Sequence, residues 1–380
     1  MMRMLGAAVD IFRLRQYFNV ITRTREIVDG VRDDGSLVVA AARALARQPL
    51  EPGRSRQGVD PFPPLAPRPS RAVRDRRIGI VATGGSGALA SVVGVARAFE
   101  EADIRPAVIS LCSGSALFGF PIAAGLSAAE VAAFSLALRP EDYIDVAWTK
   151  VGGLLPRGGR GFGGVIEGDR IEATYRRLLG DRRLGDLPIP AYTPIWSVDH
   201  NRVDYLGPAT HPDVPVARAV HMAIALPLFF QPVPFGGEHW CDGGIVDIFP
   251  VHPVVDIEPP SDAVVAVNGF YPPGFAGEDA SGWERRRWSI LYAASQIRTC
   301  QQIQLARENL KRLEAVTEVA MVEPVPYNKV RGAGFYLQFL DNREWAEFMR
   351  RGRLAGRDAL AQLDRAQRRR SQTAGRRRHA

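Results

Sequence analysis

Twice within about fifty residues the chain runs from an apolar stretch through a small-residue turn into a helix. The segments are "RIGIVATGGSGALASVVGVARAFEEA" and "AVISLCSGSALFGFPIAAGL". Two parallel strands need a crossover between them, almost always a helix, so this alternation predicts βαβ units and a parallel sheet. Strands are expected at "RIGIVAT" and Ala107 to Cys112, with a helix from Val92 to Ala102 between them. "AYTPIWSVD", "RVDYLGP", "DAVVAVNGF" and "EVAMVEPV" read as further strands. "VARAVHMAIALP" reads as a helix ended by Pro227, and "SILYAASQIRTCQQIQLARENLKRL" as a long amphipathic one. Ser127 and Glu130 have the spacing of a capping box and start another helix. From Arg139 to Pro190 glycine and charge dominate, with one short helix at "DRIEATYRRLL", which reads as a surface excursion over the sheet.

The ends differ from this core. Residues 1 to about 45 read as helical, with Ile11, Leu14, Phe18 and Ile21 on one face. A Pro-, Gly- and Arg-rich linker follows, "RQPLEPGRSRQGVDPFPPLAPRPSR". Asp341 and Glu344 are expected to cap a final helix that ends at Leu363, and the basic tail reads as disordered. The expected organisation is a 1–76 extension and linker, a 77–364 domain and a 365–380 tail. The net charge of +8 is nearly all arginine, since the only lysines are Lys150, Lys311 and Lys329. Three scattered cysteines, Cys112, Cys241 and Cys300, fit a reducing compartment and no metal cluster. No apolar run is long enough to span a bilayer, and Asp10 and several arginines interrupt the N-terminus as a signal peptide. A cytoplasmic protein is expected.

Three places hold residues suited to chemistry. Gly85, Gly87 and Ala90 follow a strand in the G-x-G-x-x-A spacing of a dinucleotide turn. That fold needs an acid at the end of the second strand, where this chain has Ser110, Leu111, Cys112 and Ser113. A glycine turn at a helix start also presents N–H groups to any anion, an oxyanion included, and a tight turn without a ligand stays open as well. Ser113 sits at a strand-to-helix junction, as a nucleophile elbow does, but Leu111 and Ser115 stand where G-x-S-x-G has glycines. On the residues alone, Ser113 reads first as a helix N-cap and only second as a nucleophile, and Ser115 as nucleophile would place Leu117 in the downstream glycine position. In "CDGGIVDIFPV", Gly243 and Gly244 let the chain turn sharply after Asp242 and leave its carboxylate free to face a cleft. A turn aspartate bonding its own backbone is the competing use. The order Ser113, Asp242, His252 also permits a histidine triad, although His252 lies between prolines. His221 reads as a packing residue, His200 and His211 lie in polar turns, and no histidine has metal-site spacing.

Taken together these segments resemble the patatin-like phospholipases. The resemblance runs from about Arg77 to Leu363 and is densest in "AVHMAIALPLFFQPVPFGGEHWCDGGIVDIFPV". "GGSG" is similar to the family's glycine-rich loop, "SLCSGSALFGFPIAAGLS" to its elbow and next helix, and "FMRRGRLAGRDAL" to a closing helix. The resemblance implies a three-layer α/β/α fold with a central, mainly parallel sheet. It further implies a Ser113–Asp242 dyad without histidine, with Gly84, Gly85, Ser86 and Gly87 lining the oxyanion hole and neither cofactor nor metal. The expected reaction is hydrolysis of a lipid carboxylic ester, of phospholipase A or lipase type, through an acyl-serine intermediate. Ser86 and Ala88 stand where the family usually has a third glycine and a basic residue, so a fold kept only to bind lipid or a protein partner is the alternative. The arginine-rich ends are expected to contact anionic membranes. Nucleic acid is not an expected partner, because no aromatic residue interleaves with the tail arginines.

Overall fold

The computed structural model describes residues 62, 71–147, 149–150, 160–279, 281–285, 289–330, 338 and 342–378. The N-terminal helix expected before residue 45 lies outside these, as does the capping residue Asp341. Within the expected linker, Phe62 is described. It is buried against the domain, with the Arg97 guanidinium 5.8 Å from its ring centroid.

The strands, in chain order, are β1 (Ile78–Ala82), β2 (Ile109–Ser110), β3 (Gly164–Ile166), β4 (Ala191–Ser197) and β5 (Arg202–Leu206). They continue with β6 (Leu228–Phe230), β7 (Val233–Phe235), β8 (Glu238–Asp242), β9 (Ala263–Val267) and β10 (Glu318–Val322). Eight form one sheet in the order β10-β9-β1-β2-β4-β8-β7, with β5 also paired to β4. Neighbours from β10 to β4 are parallel, whereas β5 and β8 run antiparallel to β4, and β7 antiparallel to β8. The principal helices are α1 (Ser91–Glu101), α2 (Gly114–Ala123), α3 (Ala128–Ala137), α4 (Asp169–Leu179), α5 (Val216–Ile224), α6 (Ser289–Val316) and α7 (Trp345–Arg378).

The pleat explains the layering. Successive strand side chains point to opposite faces, and both faces of β1 and β9 are buried along their whole length. Ile78, Ile80 and Ala82 of β1, with Ala263, Val265 and Val267 of β9, join the core that holds apolar residues of α1, α2, α5 and α7. Val81, Val264 and Ala266 enter a separate core with Phe249, Phe275 and the α6 residues Ile303, Ala306 and Leu313. The sheet therefore divides two apolar layers, giving the three-layer α/β/α arrangement. Helices α1 and α7 cross with backbones touching: a Cβ on Gly94 would lie 1.8 Å from Met349 O, and one on Gly352 1.9 Å from Ser91 O. The buried Arg353 of α7 meets Glu101 of α1 at 2.5 Å beside this crossing.

Three expectations change. The second strand is shorter than Ala107 to Cys112, because the chain turns out of the ladder after Leu111, whose N–H still bonds Tyr192 O at 2.8 Å. The glycine-rich excursion contains β3, which pairs with β6 in a second, two-stranded sheet. The final helix does not stop at Leu363, and the tail expected to be disordered from residue 365 is helical through Arg378. Arginine, alanine and glutamine are good helix formers, and the i,i+4 pair of Arg368 with Asp364 at 3.0 Å adds local support.

Candidate active site

At the junction of β2 and α2 the backbone of Ser113 adopts φ 50°, ψ −123°. A non-glycine residue held there carries roughly 1–3 kcal/mol of strain, so the surroundings must fix it. Ser115 does much of this fixing. Its hydroxyl accepts from Cys112 N at 2.7 Å and donates to Cys112 O at 2.8 Å, so it braces the turn. Leu111 fits where a glycine is usual because it keeps an ordinary φ and its side chain lies over Gly119, where a Cβ would come within 2.2 Å of it. Gly114 cannot carry a side chain: a Cβ there would lie 2.2 Å from Gly85 O. Ser113 itself is 7% exposed at the start of a ten-residue helix, whose dipole favours negative charge there.

Asp242 ends β8 and is 1% exposed. Its N–H bonds Ala225 O at 2.9 Å, and its Oδ1 accepts from Gly244 N at 2.8 Å. The Ser113 side chain lies close enough to this carboxylate to favour its ionised form. Burial pushes the carboxyl pKa up to about 7, against the lowering effects of the Ser113 side chain and the Gly244 N–H. Of the two uses of Asp242 foreseen from the sequence, the turn-closing one is present, with Oδ1 accepting from Gly244 N. Cys112 lies beneath both turns. Its Sγ would be 3.0 Å from a Cβ on Gly84 and 2.6 Å from one on Gly244, so it spaces them apart. Burial, then the charge of Asp242, push its thiol pKa up, which keeps it neutral.

The glycine loop approaches from β1. Gly84 is close enough that a Cβ would lie 3.3 Å from Ser113 Cβ, but its N–H is already bonded to Ile248 O at 2.9 Å. Gly84 therefore lines the site without serving as a free donor, a correction to its expected place in an oxyanion hole. The N–H groups left for that role are those of Gly85, Ser86 and Gly87. The Ser86 hydroxyl is directed elsewhere, donating to Gln338 Oε1 at 2.8 Å.

The histidines do not join the serine and acid. His252 Nδ1 pairs with Asp256 at 2.6 Å and its ring packs on Tyr205, so the Ser113–Asp242–His252 triad is not assembled. His221 is buried, as expected, but in a polar setting: Nδ1 faces Glu172 at 3.0 Å and Nε2 faces Glu167 O at 3.2 Å. Among the described residues no three potential ligands converge on a metal position, and no helix is long and apolar enough to cross a membrane. The sequence singled out neither Gln338 nor Trp345, and it offered Ser115 only as an alternative nucleophile, not as the brace of the turn. The available signal was Ser86 itself, a hydroxyl in a buried glycine turn that needs a partner.

Residues 80–255 match the model of a family described as patatin-like phospholipase. Among solved structures, VipD from Legionella pneumophila is similar at 15% identity and TM-score 0.44, with 77% of this chain and 67% of that chain covered. The type III effector ExoU, of Pseudomonas aeruginosa, is similar at 14% identity and TM-score 0.37, covering 76% and 53%. Human GIVD cytosolic phospholipase A2, solved in complex with methyl gamma-linolenyl fluorophosphonate, gives 11% identity and TM-score 0.41, covering 87% and 62%. The chain thus spans about half to two thirds of the length of these proteins. No curated protein matches it by sequence.

Proposed function

We propose that this chain, whose residues 80–255 match the patatin-like phospholipase family model, hydrolyses carboxylic esters of lipids with Ser113 as nucleophile and Asp242 as its base. One observation carries the proposal: a strained Ser113 beside the buried Asp242 carboxylate, whose pKa burial raises to about 7. Ser113 Oγ attacks the ester carbonyl carbon while its proton passes to the Asp242 carboxylate. The carbonyl oxygen becomes an oxyanion, for which the N–H groups of Gly85, Ser86 and Gly87 are the proposed donors. Collapse breaks the ester C–O bond, and the protonated Asp242 returns its proton to the departing alkoxide, leaving an acyl-serine. A water then attacks the acyl carbon, gives its proton to Asp242, and the Ser113 oxygen leaves with that proton, releasing the fatty acid. Asp242 ends each cycle as it began. Access to a lipid surface is assigned to the arginine-bearing end of α7, which brings the site to anionic membranes.

Treating the protein with a fluorophosphonate probe and mapping the adduct by mass spectrometry tests the dyad. The adduct should sit on Ser113 and vanish in Ser113→Ala. Labelling should slow by about 10³-fold or more in Asp242→Asn and persist in His252→Ala. An unlabelled wild-type protein would instead favour a fold retained to bind lipid or a protein partner.

A further inference from the structure

The loop of Gly85, Ser86 and Gly87 is held from outside the 80–255 domain match. Ser86 Oγ donates to Gln338 Oε1 at 2.8 Å across 252 residues of chain, in a buried setting. The Gln338 amide is fixed in orientation, because Nε2 donates to Lys329 O at 2.9 Å and so leaves Oε1 facing Ser86. Its backbone carbonyl accepts from Trp345 Nε1 at 3.0 Å. Trp345 stands edge-on to Phe118 of α2, with ring centroids 5.2 Å apart, and so ties the same bracket to the helix that follows the elbow. Gly87 fits beneath this bracket with no space for a side chain: a Cβ would lie 2.1 Å from Trp345 Nε1 and 2.3 Å from Gln338 O. On its other flank the loop is backed by the turn after β9, where a Cβ on Gly85 would lie 3.4 Å from Phe270 Cβ, and Gly269 N bonds Thr83 Oγ1 at 3.0 Å.

We infer that Gln338 is a positioning residue for ester hydrolysis, holding Ser86 so that the loop's N–H groups stay aimed where the oxyanion develops. The inference rests on the serine hydrolase reading above. A loop with three glycines has little internal stiffness, and a hydroxyl at Ser86 gives it one directional tether. Gln338 touches neither nucleophile nor base, so its removal leaves the Ser113–Asp242 pair in place and changes only the transition state's surroundings. Substrate binding, which precedes oxyanion formation, is then affected little.

Steady-state hydrolysis of p-nitrophenyl butyrate and the rate of fluorophosphonate labelling test this with four variants. Ser86→Ala and Gln338→Leu should each lower kcat and the labelling rate by about 10- to 100-fold, with KM within about threefold of wild type. The double variant should be no slower than the worse single one, since both remove the same hydrogen bond. Gln338→Glu, which keeps an acceptor for Ser86, should recover part of the loss seen in Gln338→Leu. Ser86→Ala deletes one oxygen and should leave the melting temperature nearly unchanged, which separates positioning from misfolding. Independent, multiplying losses in the double variant, or a change confined to KM, would overturn the role of Gln338. Full labelling of Ser113 at wild-type rate in Ser86→Ala and Gln338→Leu would overturn it while leaving the hydrolase reading intact. Absence of labelling in the wild-type protein would overturn both.

Discussion

A carboxylate that takes a proton from serine works best when its own pKa lies close to the pH of operation. Burial brings Asp242 to about 7, so kcat/KM is expected to rise with pH through about 7 and level off above it, since only the ionised form is a base. A pH–rate profile that is flat from 5 to 9 would remove Asp242 from that role. The same burial bears on stability with a definite sign. Because the folded pKa lies above the unfolded value, the protonated folded form is favoured and stability falls as pH rises from about 4 to about 7. Asp242→Asn does not ionise, so the inactive variant should melt higher than wild type at pH 8, by the equivalent of a few kcal/mol, and with little difference at pH 4. Ser113 and Asp242 were legible because the turns that present them are local and written in serine, aspartate and glycine. Whether His252 belonged with them was not legible, since that depends on Asp256 and Tyr205 claiming its ring. Gln338 left no local pattern at all.

Helices α4 and α5 are joined by charge as well as by apolar contact. Glu172 of α4 is buried, yet it receives His221 Nδ1 at 3.0 Å, Arg218 Nη1 at 2.7 Å and Arg176 Nη2 at 2.9 Å. Burial is the largest influence on its carboxyl and pushes the pKa up, but the hydrogen bonds and charges of His221 and Arg218 outweigh it and hold the value near 2. Both ring nitrogens of His221 face oxygens, Nδ1 that of Glu172 and Nε2 the backbone carbonyl of Glu167. Glu172→Gln should destabilise the protein by about 2 kcal/mol, less than a fully buried pair because both arginines reach solvent. With a depressed carboxyl pKa the stabilisation is complete above the ordinary value near 4.5 and is lost as pH falls towards 2. The gap in melting temperature between wild type and Glu172→Gln should therefore narrow between pH 6 and pH 3, and a gap independent of pH would refute the ionic account. The helix at "DRIEATYRRLL" was evident from its sequence, but its pairing with His221, 49 residues away, was not. The Ser127 cap was evident because it is local: its hydroxyl accepts from Glu130 N at 3.2 Å, and Glu130 Oε2 accepts from Ser127 N at 2.8 Å. Strand β3 escaped notice because three residues amid glycines carry no alternation, and only β6 gives them a partner.

Across the whole molecule, the alternation of strand and helix revealed the layers but not the sheet order. Placing β9 beside β1 joins residues about 185 apart, and nothing in either strand names its neighbour. The end of the chain was misread in the same way, since its helix continues from one anchored by packing on α1. That helical continuation sharpens the membrane proposal, because it sets exposed arginines on a helix. Arg365, Arg368, Arg369 and Arg370 are exposed on it, and Arg376, Arg377 and Arg378 follow, with no acidic residue from 365 onward. Arg368 meets Asp364 at 3.0 Å and Arg370 meets Glu318 at 3.5 Å, but pairs this exposed are weak competitors for a charged surface. Each arginine near an anionic bilayer contributes on the order of 1 kcal/mol, fading over a Debye length of about 10 Å at 0.1 M salt. A protein ending at Asp364 should therefore bind phosphatidylserine-containing vesicles at least about tenfold more weakly than the full chain in co-sedimentation. The full chain should lose the same advantage in 0.5 M salt, while hydrolysis of a small soluble ester stays unchanged by the truncation. Equal vesicle binding by the two proteins, or binding indifferent to salt, would take the arginines out of the account and leave the approach to lipid to some other face of the domain.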